Sequence, residues 1–472
     1  MSIKKISFLF LTLLASFAFC AEESEPEPEL KPKNDTSVVS IEYRNALISV
    51  VSWPFKYVIQ PAAEFLMYPF IPPLIYVSRE NLIEKGHNLI TYGDERQIMF
   101  YPLANAKLGS GSNLGFAYRH ENLFLKNDYI FVSPHLYINA DWDALVRYQK
   151  KQIKGTSVFM GIGANHREYS NAAFRTTFEN SNVRDYFFAD SSFSVYTSLG
   201  FGLMDGWDLK FTVESSFFRF SLPNIEKEIF TGANVSDRGF YQKYNTFPLT
   251  VSLLNNTLDE PYAATKGRKF DIGYTYVPVS AYNGSDNHDY HVVESRYIRY
   301  ILLGTKSYAM TVAESEANRE KLKNLSFKEA MEMFNPLNVK EEVLDRRVLI
   351  TQLKARYMIE ENRGKAPFTA MSDLGGNFPL RAYSGGYFTA PLVAGLSMEY
   401  RWPIDRYADA LIFNEYGIYG YDFNNLPLSN LRNSYGFGFR VRTPRFFITR
   451  FALAFHGLQG VSLIFTTRPE YP

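Results

Sequence analysis

Three histidines, His120, His135 and His456, are the first candidates for acid–base chemistry in this sequence. Ester hydrolysis in the wall of a barrel would need one of them beside a serine and an acid or amide that orients the ring. No serine in a recognisable nucleophile setting accompanies them. A lipid hydrolase is therefore the least favoured function, and we expect that the protein is not an enzyme.

A second candidate is the segment 282–291, YNGSDNHDYH, in which Asp286, His288, Asp289 and His291 lie close together. These residue types bind borderline and hard metal ions. A solvent-exposed loop has the same composition, so the sequence predicts no metal site. A glycine-rich phosphate cradle before a helix is also absent, and we expect no cofactor.

The overall composition favours a membrane protein. The 472 residues include 50 basic and 49 acidic ones, which gives no electrostatic reason to expect nucleic acid as a partner. Aromatic residues make up 16% of the chain, with 33 Tyr and 40 Phe. Aromatic side chains form belts on the lipid face of transmembrane barrels, whose lumen face is polar. After the N-terminus, no run reaches the roughly 18 apolar residues that a membrane helix needs.

From about residue 97 the chain consists of short alternating runs separated by Gly, Asn, Asp and Pro. In the run 434–442, every second residue is aromatic or apolar and the others are small or cationic. About sixteen such runs are present, at 97–106, 112–122, 128–139, 141–151, 155–165, 192–203, 207–220, 246–255, 266–280, 289–302, 348–360, 388–402, 408–419, 431–442, 445–455 and 459–467. An even number is typical of bacterial barrels with both termini in the periplasm. We therefore predict an all-β membrane protein, a transmembrane β-barrel of about sixteen antiparallel strands with a short helical N-terminal segment.

The connections between these runs predict the orientation of the barrel. The long ones join odd to even runs and should face outside: 166–191, 221–245 and 361–387. Most even-to-odd turns are short and should face the periplasm: 152–154, 204–206, 403–407 and 443–444. The exception is 303–347, which includes the charged helical stretch Glu314–Phe334. We predict a periplasmic insert there.

The N-terminal residues predict export. Lys4 and Lys5 precede an apolar run, so residues 1–20 read as a signal peptide cleaved after Cys20, the single cysteine of the chain. The alternative is a lipoprotein signal with Cys20 acylated. Residues 21–42 are Pro-rich and charged, which is typical of a disordered linker.

The remaining two regions are a helical segment and the barrel itself. Residues 43–93 are apolar and interrupted by prolines, and we predict a helical segment there. It is expected to pack on the barrel rim, to lie at the membrane–water boundary on the inner side of the outer membrane, or to plug the barrel. Residues 94–472 form the predicted outer-membrane barrel.

Residues 375–388, GGNFPLRAYSGGYF, resemble a loop of the BamA/TamA family of outer-membrane assembly and translocation barrels, the bacterial surface antigen family. The resemblance implies that this loop folds into the lumen before the fifth strand from the end, and five runs do follow it. The loop motif falls on Gly375, Gly376, Arg381, Ala382 and Tyr383, with Ala382 where the family has glycine.

Three more segments match the family in order. Residues 257–267, TLDEPYAATKG, resemble its turn motif through Asp259, Lys266 and Gly267, with Leu258 in place of an arginine and Ala264 in place of a proline. The segments 398–403 (MEYRWP) and 413–417 (FNEYG) resemble its acidic strand positions.

These acidic positions imply that Glu399 and Glu415 receive Arg381. Strand alternation independently puts Glu399 on the same face as Ser397 and Arg401, which is the lumen face. The alternative is that each glutamate is merely a charge that lines the lumen.

The C-terminus resembles the assembly signal of outer-membrane barrels. Gly460, Leu463 and Phe465 fit a glycine followed by an apolar residue and a final aromatic. An ordinary amphipathic strand would show the same pattern.

The resemblance covers about residues 250–472 and implies a role in envelope assembly, or in moving a polypeptide or lipid across or into the outer membrane. The implied partners are outer-membrane lipid, the barrel assembly machinery during insertion, and a polypeptide or lipid substrate. One departure is that residues 21–96 contain no repeated POTRA module, which insertases of the family carry. Pro102 in the first run removes a ladder donor and predicts a weak seam to the last strand.

The alternative function is a passive, porin-like channel for small solutes. It rests on cations on the lumen face, which would favour anionic solutes: Arg356, Arg401, Arg440 and Arg450.

Overall fold

The structure of the chain is a computed structural model. It describes residues 53–80, 82–93, 97–107, 110–138, 140–151, 153, 156–176, 184–203, 206–221, 243–260, 263–281, 289–303, 346–360, 366–367, 370–376, 379–404, 407–424, 426–442, 447–457 and 460–467. The predicted signal peptide, the linker, residues 43–52 and the helical part of the predicted insert lie outside the described residues.

Sixteen long antiparallel strands form one closed sheet, as the alternating runs predicted. They are β1 (Ile98–Lys107), β2 (Ser110–Glu121), β3 (Asp128–Tyr137), β4 (Trp142–Lys150), β5 (Val158–Thr176), β6 (Arg184–Gly202), β7 (Trp207–Ser221), β8 (Leu249–Asn256), β9 (Gly267–Val277), β10 (Tyr290–Leu302), β11 (Val348–Glu360), β12 (Leu392–Pro403), β13 (Ala408–Gly420), β14 (Arg432–Arg442), β15 (Phe447–His456) and β16 (Gly460–Thr466). Each pairs with its neighbours in sequence, and β1 pairs with β16 to close the barrel.

Strands β5 and β6 are longer than predicted. Residues 166–176 and 184–191 were predicted as loop, but they continue the hairpin past a register shift between Tyr169 and Ala172. The register shift interrupts the period of two while the backbone pairing continues, so the sequence pattern could not reveal this extension.

Alternation along each strand separates an apolar outer wall from a polar lumen. On β7, the side chains of Phe211, Val213 and Phe217 are exposed on the outside. On β12, Met398 is exposed outside while its neighbours Ser397 and Glu399 are buried in the lumen. This is the arrangement of a barrel that presents its apolar side to lipid.

We call the end of the barrel where β1 begins and β16 ends the terminal rim, and the opposite end the loop rim. The short turns, such as 403–407, lie at the terminal rim. Short strands extend the wall or the loop: Thr91–Tyr92 pairs with the start of β1, Lys243–Thr246 with Val279–Ala281, and Ser372–Leu374 with Phe388–Ala390.

The helical N-terminal segment lies outside the barrel. It contains a π-helical turn (Phe55–Ile59), α1 (Gln60–Met67), a 3-10 turn (Tyr68–Phe70), α2 (Ile71–Arg79) and α3 (Leu82–Ile90). Within the described residues no single helix is long and apolar enough to cross a membrane. The pair Phe55–Phe65 and Tyr68–Tyr76 reaches that length and composition together, but it is bent by 72°.

Candidate functional site: a buried arginine in the lumen loop

The loop between β11 and β12 folds back into the lumen. It turns at Gly375 and Gly376, whose φ values of 109° and 83° favour glycine. A Cβ on Gly375 would lie 2.2 Å from the carbonyl oxygen of Ser384, so the two arms of the loop touch there. The tip of the loop, residues 379–384, therefore points at the wall formed by β12 and β13.

At the tip, Arg381 reaches Glu415 through both its backbone and its side chain. The backbone N–H donates to one carboxylate oxygen at 2.7 Å, and Nε donates to the other at 2.6 Å. Both residues are buried. Two charge-assisted bonds to one carboxylate fix the position and the orientation of the arginine.

Arg381 also reaches Glu399, which is shared by three arginines. Its Nη1 donates to Glu399 at 2.8 Å. Arg450 donates to the same oxygen at 2.8 Å, and Arg401 donates to the other one. Three guanidinium groups thus meet two carboxylates, Glu399 and Glu415, in a buried cluster that we call the lumen lock.

Neighbouring side chains complete the surroundings of Arg381. Its guanidinium carbon lies 3.8 Å from the centre of the Phe413 ring, which is a cation–π contact. Nη2 lies 3.4 Å from the hydroxyl of Ser397, and the backbone N–H of Ala382 donates to the hydroxyl of Ser434 at 3.0 Å. The structure therefore brings the predicted residues together, while their role in function stays a prediction.

Two glycines that the sequence analysis missed make room for the loop. A Cβ on Gly395 of β12 would lie 2.2 Å from Pro379, and one on Gly417 of β13 would lie 2.8 Å from Leu380. Each lies on the same strand face as one of the two lock glutamates. Glycines on that face were therefore a sequence signal for close packing against the wall. Leu380 has a φ of 73°, a conformation that costs a non-glycine residue about 1 kcal/mol or more. The neighbouring ion pairs hold it there.

Tyr383 and Arg356 hold other parts of the loop. The ring of Tyr383 stacks on His456, with centroids 4.5 Å apart. Arg356 donates to the carbonyl of Ala370 at 2.9 Å and to the hydroxyl of Ser372 at 2.7 Å. Arg356, which the channel hypothesis used as a free lumen cation, is thus bound to the loop.

A second ion cluster, also missed by sequence reasoning, lies at the terminal rim. Asp409 of β13 accepts hydrogen bonds from Arg440 and Arg442 of β14, with Nε-to-carboxylate distances of 2.9 Å for both. All three side chains are buried. The sequence shows an aspartate and two arginines on separate strands, and only the register Asp409↔Arg440 joins them.

The turn motif folds into the terminal end of the lumen. Asp259 accepts hydrogen bonds from the backbone and hydroxyl of Thr265 at 2.9 and 2.6 Å, and its N–H lies 3.4 Å from the carbonyl oxygen of Lys266. Gly267 has a φ of 105°. Ala264 is buried against lumen-facing residues of β10 and β11: Ile298, Tyr300, Val348 and Ile350. Asp259 and Gly267 therefore shape the turn.

The predicted assembly signal forms β16, the closing strand. Leu463 and Phe465 share the outer face with the exposed Val461, while Ser462 and Ile464 are buried on the lumen side. Gly460 is packed so closely that a Cβ would lie 2.0 Å from Nε2 of His456. The geometry suits a final amphipathic strand, and recognition by assembly machinery stays a prediction.

The candidate chemical residues have structural partners. His135 bonds to Asp143 at 2.7 Å, His120 bonds to the hydroxyl of Tyr118 at 3.0 Å, and His456 stacks on Tyr383. Within the described part of the chain no group of three or more His, Cys, Asp or Glu side chains could hold a metal ion. Asp286 and His288 lie outside the described residues. His291, at the end of that segment, bonds to the hydroxyl of Tyr274 at 2.7 Å.

Comparison with known proteins gives solved structures alone. No family model and no curated protein matches the chain. The chain is similar to BamA from Haemophilus ducreyi lacking POTRA domains 1–3, with a TM-score of 0.49 and 14% identity, over 78% of this chain and 69% of that chain. It is similar to CdiB from Acinetobacter baumannii, with a TM-score of 0.48, 11% identity, and 78% and 59% of the two chains covered. It is also similar to CdiB from Escherichia coli, with a TM-score of 0.46 and 10% identity, over 78% of this chain and 62% of that chain. The likeness is one of fold.

Replacing Arg381 by alanine tests whether the lumen lock holds the loop. We expect the free energy of unfolding to fall by roughly 3 kcal/mol, because two buried carboxylates lose a shared cation. The temperature at which the folded band disappears in heat-modifiability gels should fall, and proteases should cut within 361–387.

Arg381→Lys is the matched control because it keeps the charge. A lysine ammonium cannot reproduce the fork that reaches both Glu399 and Glu415, so its loss should be intermediate. Equal stability and equal protease resistance of all three proteins would show that the lock does not hold the loop.

Proposed function

We propose that the chain is a bacterial outer-membrane barrel of the BamA/TamA type that acts in envelope assembly, or in moving a polypeptide or lipid into or across that membrane. The observation that carries this proposal is a short seam between the described parts of the first and last strands, beside a lumen into which the loop folds. Such a barrel acts through strand separation and needs no bond-making residue.

In the described part of the chain, the seam between β1 and β16 is held by three residue pairs. These are Asn105↔Thr466, Ala106↔Phe465 and Lys107↔Ile464. By contrast, β15 and β16 pair continuously from Arg450↔Thr466 to His456↔Gly460. Since each backbone pair in a sheet adds stability, the seam is the weakest joint between described strands of the barrel wall.

Pro102 lies on the seam edge of β1. The carbonyl oxygen of Ala104 accepts from the N–H of Thr467 at 3.0 Å, so the backbone of Ala104 faces β16. Residues two apart in a strand face the same edge, which places Pro102 there as well. Proline has no N–H, so Pro102 cannot donate the backbone hydrogen bond that would extend the pairing along this edge toward the terminal rim.

On the side of β7 to β14, the lumen loop and buried side chains occupy part of the lumen, which argues against the passive channel. Near the loop rim, Phe220, Tyr244 and Tyr290 form an apolar cluster with Ala370 and Met371 of the lumen loop. The cations expected to select anions are bound in buried ion pairs instead: Arg401, Arg440 and Arg450.

A disulfide across the seam tests the proposal. Asn105 and Thr466 form a directly opposed pair between the hydrogen-bonded ones, where Cα atoms in antiparallel sheets are about 4.5 Å apart and a disulfide fits. In planar bilayers we expect brief, flickering openings that disappear when Asn105→Cys/Thr466→Cys is oxidised and return on reduction. Growth of cells that depend on the protein should show the same redox dependence.

The matched control is Thr250→Cys/Thr275→Cys, whose native hydroxyls lie 2.9 Å apart across β8 and β9. Oxidation of this pair should leave the openings unchanged. A steady ohmic current in every variant would support the porin alternative, and unaltered flicker in the oxidised seam variant would rule out gating at β1 and β16.

The proposed membrane location also determines which partners are expected. Outer-membrane lipid faces the apolar wall, and β16 would be the strand that the barrel assembly machinery recognises during insertion. A polypeptide or lipid substrate would enter beside β1.

A further inference from the structure

The N-terminal helices pack on the outer wall with one face only. Ala63 and Met67 of α1 are buried against Tyr400, Trp402 and Ala410. Tyr400 and Trp402 alternate with the lumen residues of β12, so they belong to the outer face of the barrel. Trp402 is 1% exposed, whereas Met398 on the same face is 44% exposed, because α1 covers the former.

The contact continues along the wall toward the seam. Phe70 lies 5.9 Å from Phe439 of β14 and 5.8 Å from Phe451 of β15, measured between ring centres. Leu74 of α2 is buried with Ala408 and Val441. After α3, residues Thr91–Tyr92 pair with the start of β1. We call residues 53–92, which run outside the barrel from β12 to β1, the outer strap.

A buried polar contact fixes the register of the outer strap. The side-chain oxygen of Gln60 accepts from Nε of Arg347 at 3.0 Å and from the hydroxyl of Tyr400 at 3.1 Å. Its amide nitrogen donates to Glu64 at 2.7 Å. A buried amide that is satisfied on both sides specifies one position of the helix on the wall.

The opposite face of the outer strap is aromatic and uncovered. Phe65 is 82% exposed, and four further rings are more than half exposed: Trp53, Tyr57, Tyr68 and Tyr76. Amphipathic rings of this kind are enriched where membranes meet water. This face is also continuous with the exposed apolar wall of the barrel, which ends beside it at the terminal rim.

We propose that the outer strap is embedded in the phospholipid leaflet at the terminal rim, with its aromatic face in contact with acyl chains and headgroups. The inference rests on the proposed membrane location of the barrel and adds an interaction surface to it. Residues 53–90 carry three basic and three acidic side chains, Lys56, Arg79 and Lys85 against Glu64, Glu80 and Glu84. The strap therefore binds zwitterionic lipid as well as anionic lipid, since charge adds little.

The test uses single-tryptophan versions of the full chain, in which three of Trp53, Trp142, Trp207 and Trp402 are replaced by phenylalanine. Variants that keep the folded band on unheated gels are reconstituted into phosphatidylcholine vesicles with brominated acyl chains. We expect bromine to quench more than half of the Trp53 emission, and aqueous iodide to quench little. Trp402, covered by α1, should keep most of its emission. Adding anionic lipid should change none of these values by more than a small fraction.

Trp207 is the internal control because it lies at the terminal end of β7, on the outer face with Phe211, away from the outer strap. Quenching of both Trp207 and Trp53 supports the proposal. Quenching of Trp207 without Trp53 overturns the embedded strap and leaves the barrel in the membrane. Strong quenching of Trp402 shows that α1 does not cover the wall, which also overturns it. Absence of quenching at Trp207 overturns the membrane location itself.

Discussion

Replacing Glu399 by glutamine is expected to lower the free energy of unfolding of the barrel by about 5 kcal/mol, the largest effect of any single change considered. Glu399 is buried and accepts hydrogen bonds from Arg381, Arg401 and Arg450. Without its charge, these three buried cations lose the carboxylate that they share. A neutral amide can accept from one guanidinium, while its own NH₂ group opposes another.

The matched control is Glu294→Gln on β10, which removes another carboxylate from the lumen face. Glu294 lies 3.7 Å from both Lys354 and Arg356 and its side chain is 47% exposed. Such a loose, hydrated pair contributes about 1 kcal/mol or less. Urea unfolding in detergent and the heat-modifiability midpoint would measure both variants, and equal shifts would show that the lumen lock does not stabilise the barrel.

Replacing Asp409 by asparagine is expected to cost roughly 4 kcal/mol. The change leaves Arg440 and Arg442 side by side on β14 without the buried carboxylate that separates their charges. The turn 403–407 and the contact of Leu74 with Ala408 lie beside this aspartate. We therefore expect the unfolding midpoint to fall and the outer strap to become more sensitive to protease.

A double variant separates the ion cluster from a general packing defect. Arg440→Met added to Asp409→Asn removes one of the two cations that lose the Asp409 carboxylate in the single variant. If the cluster is electrostatic, the loss in the double variant is smaller than the sum of the two single losses. Additive losses in urea unfolding would contradict this account.

The two ion clusters hold different parts of the barrel together. The lumen lock holds the tip of the loop against β12 and β13, midway along the wall. The Asp409 cluster holds β13 to β14 at the terminal rim, close to the buried turn 257–267. Because Arg401 and Arg450 are also bound to Glu399, the cations of the last five strands have structural roles, and this leaves the porin hypothesis with little support.

Local pattern alone determined the strands. Each strand presents alternate residues to lipid and to the lumen, and this period of two is visible in the sequence wherever the lipid face is apolar. The same pattern failed for residues 166–176 and 184–191, where β5 and β6 continue beyond the apolar wall. It also left open three places for the helical segment. The described helices pack on the outer wall at the rim, and their contact with the membrane is a proposal.

The candidate site was predictable only through its resemblance to a family motif. Alternation placed Glu399 in the lumen, but it could not bring Arg381 there, because the loop and the strands meet through contacts that are remote in sequence. The docking glycines Gly395 and Gly417 were visible as small residues without a stated use. Their role in making room for the loop follows only from the contacts that Pro379 and Leu380 make with them.

The sequence by itself therefore determined the number of strands and the direction of their faces, and its resemblance to a family motif pointed to Arg381, Glu399 and Glu415. The tertiary structure decided the rest: the sharing of Glu399 by three arginines, the pairing of Asp409 with β14, the short seam at β1, and the position of the outer strap. The physical reason is that strand alternation is a local property of the chain. Register between strands, and the docking of a loop or helix on a wall, depend on shape and charge that come together only after the barrel has closed.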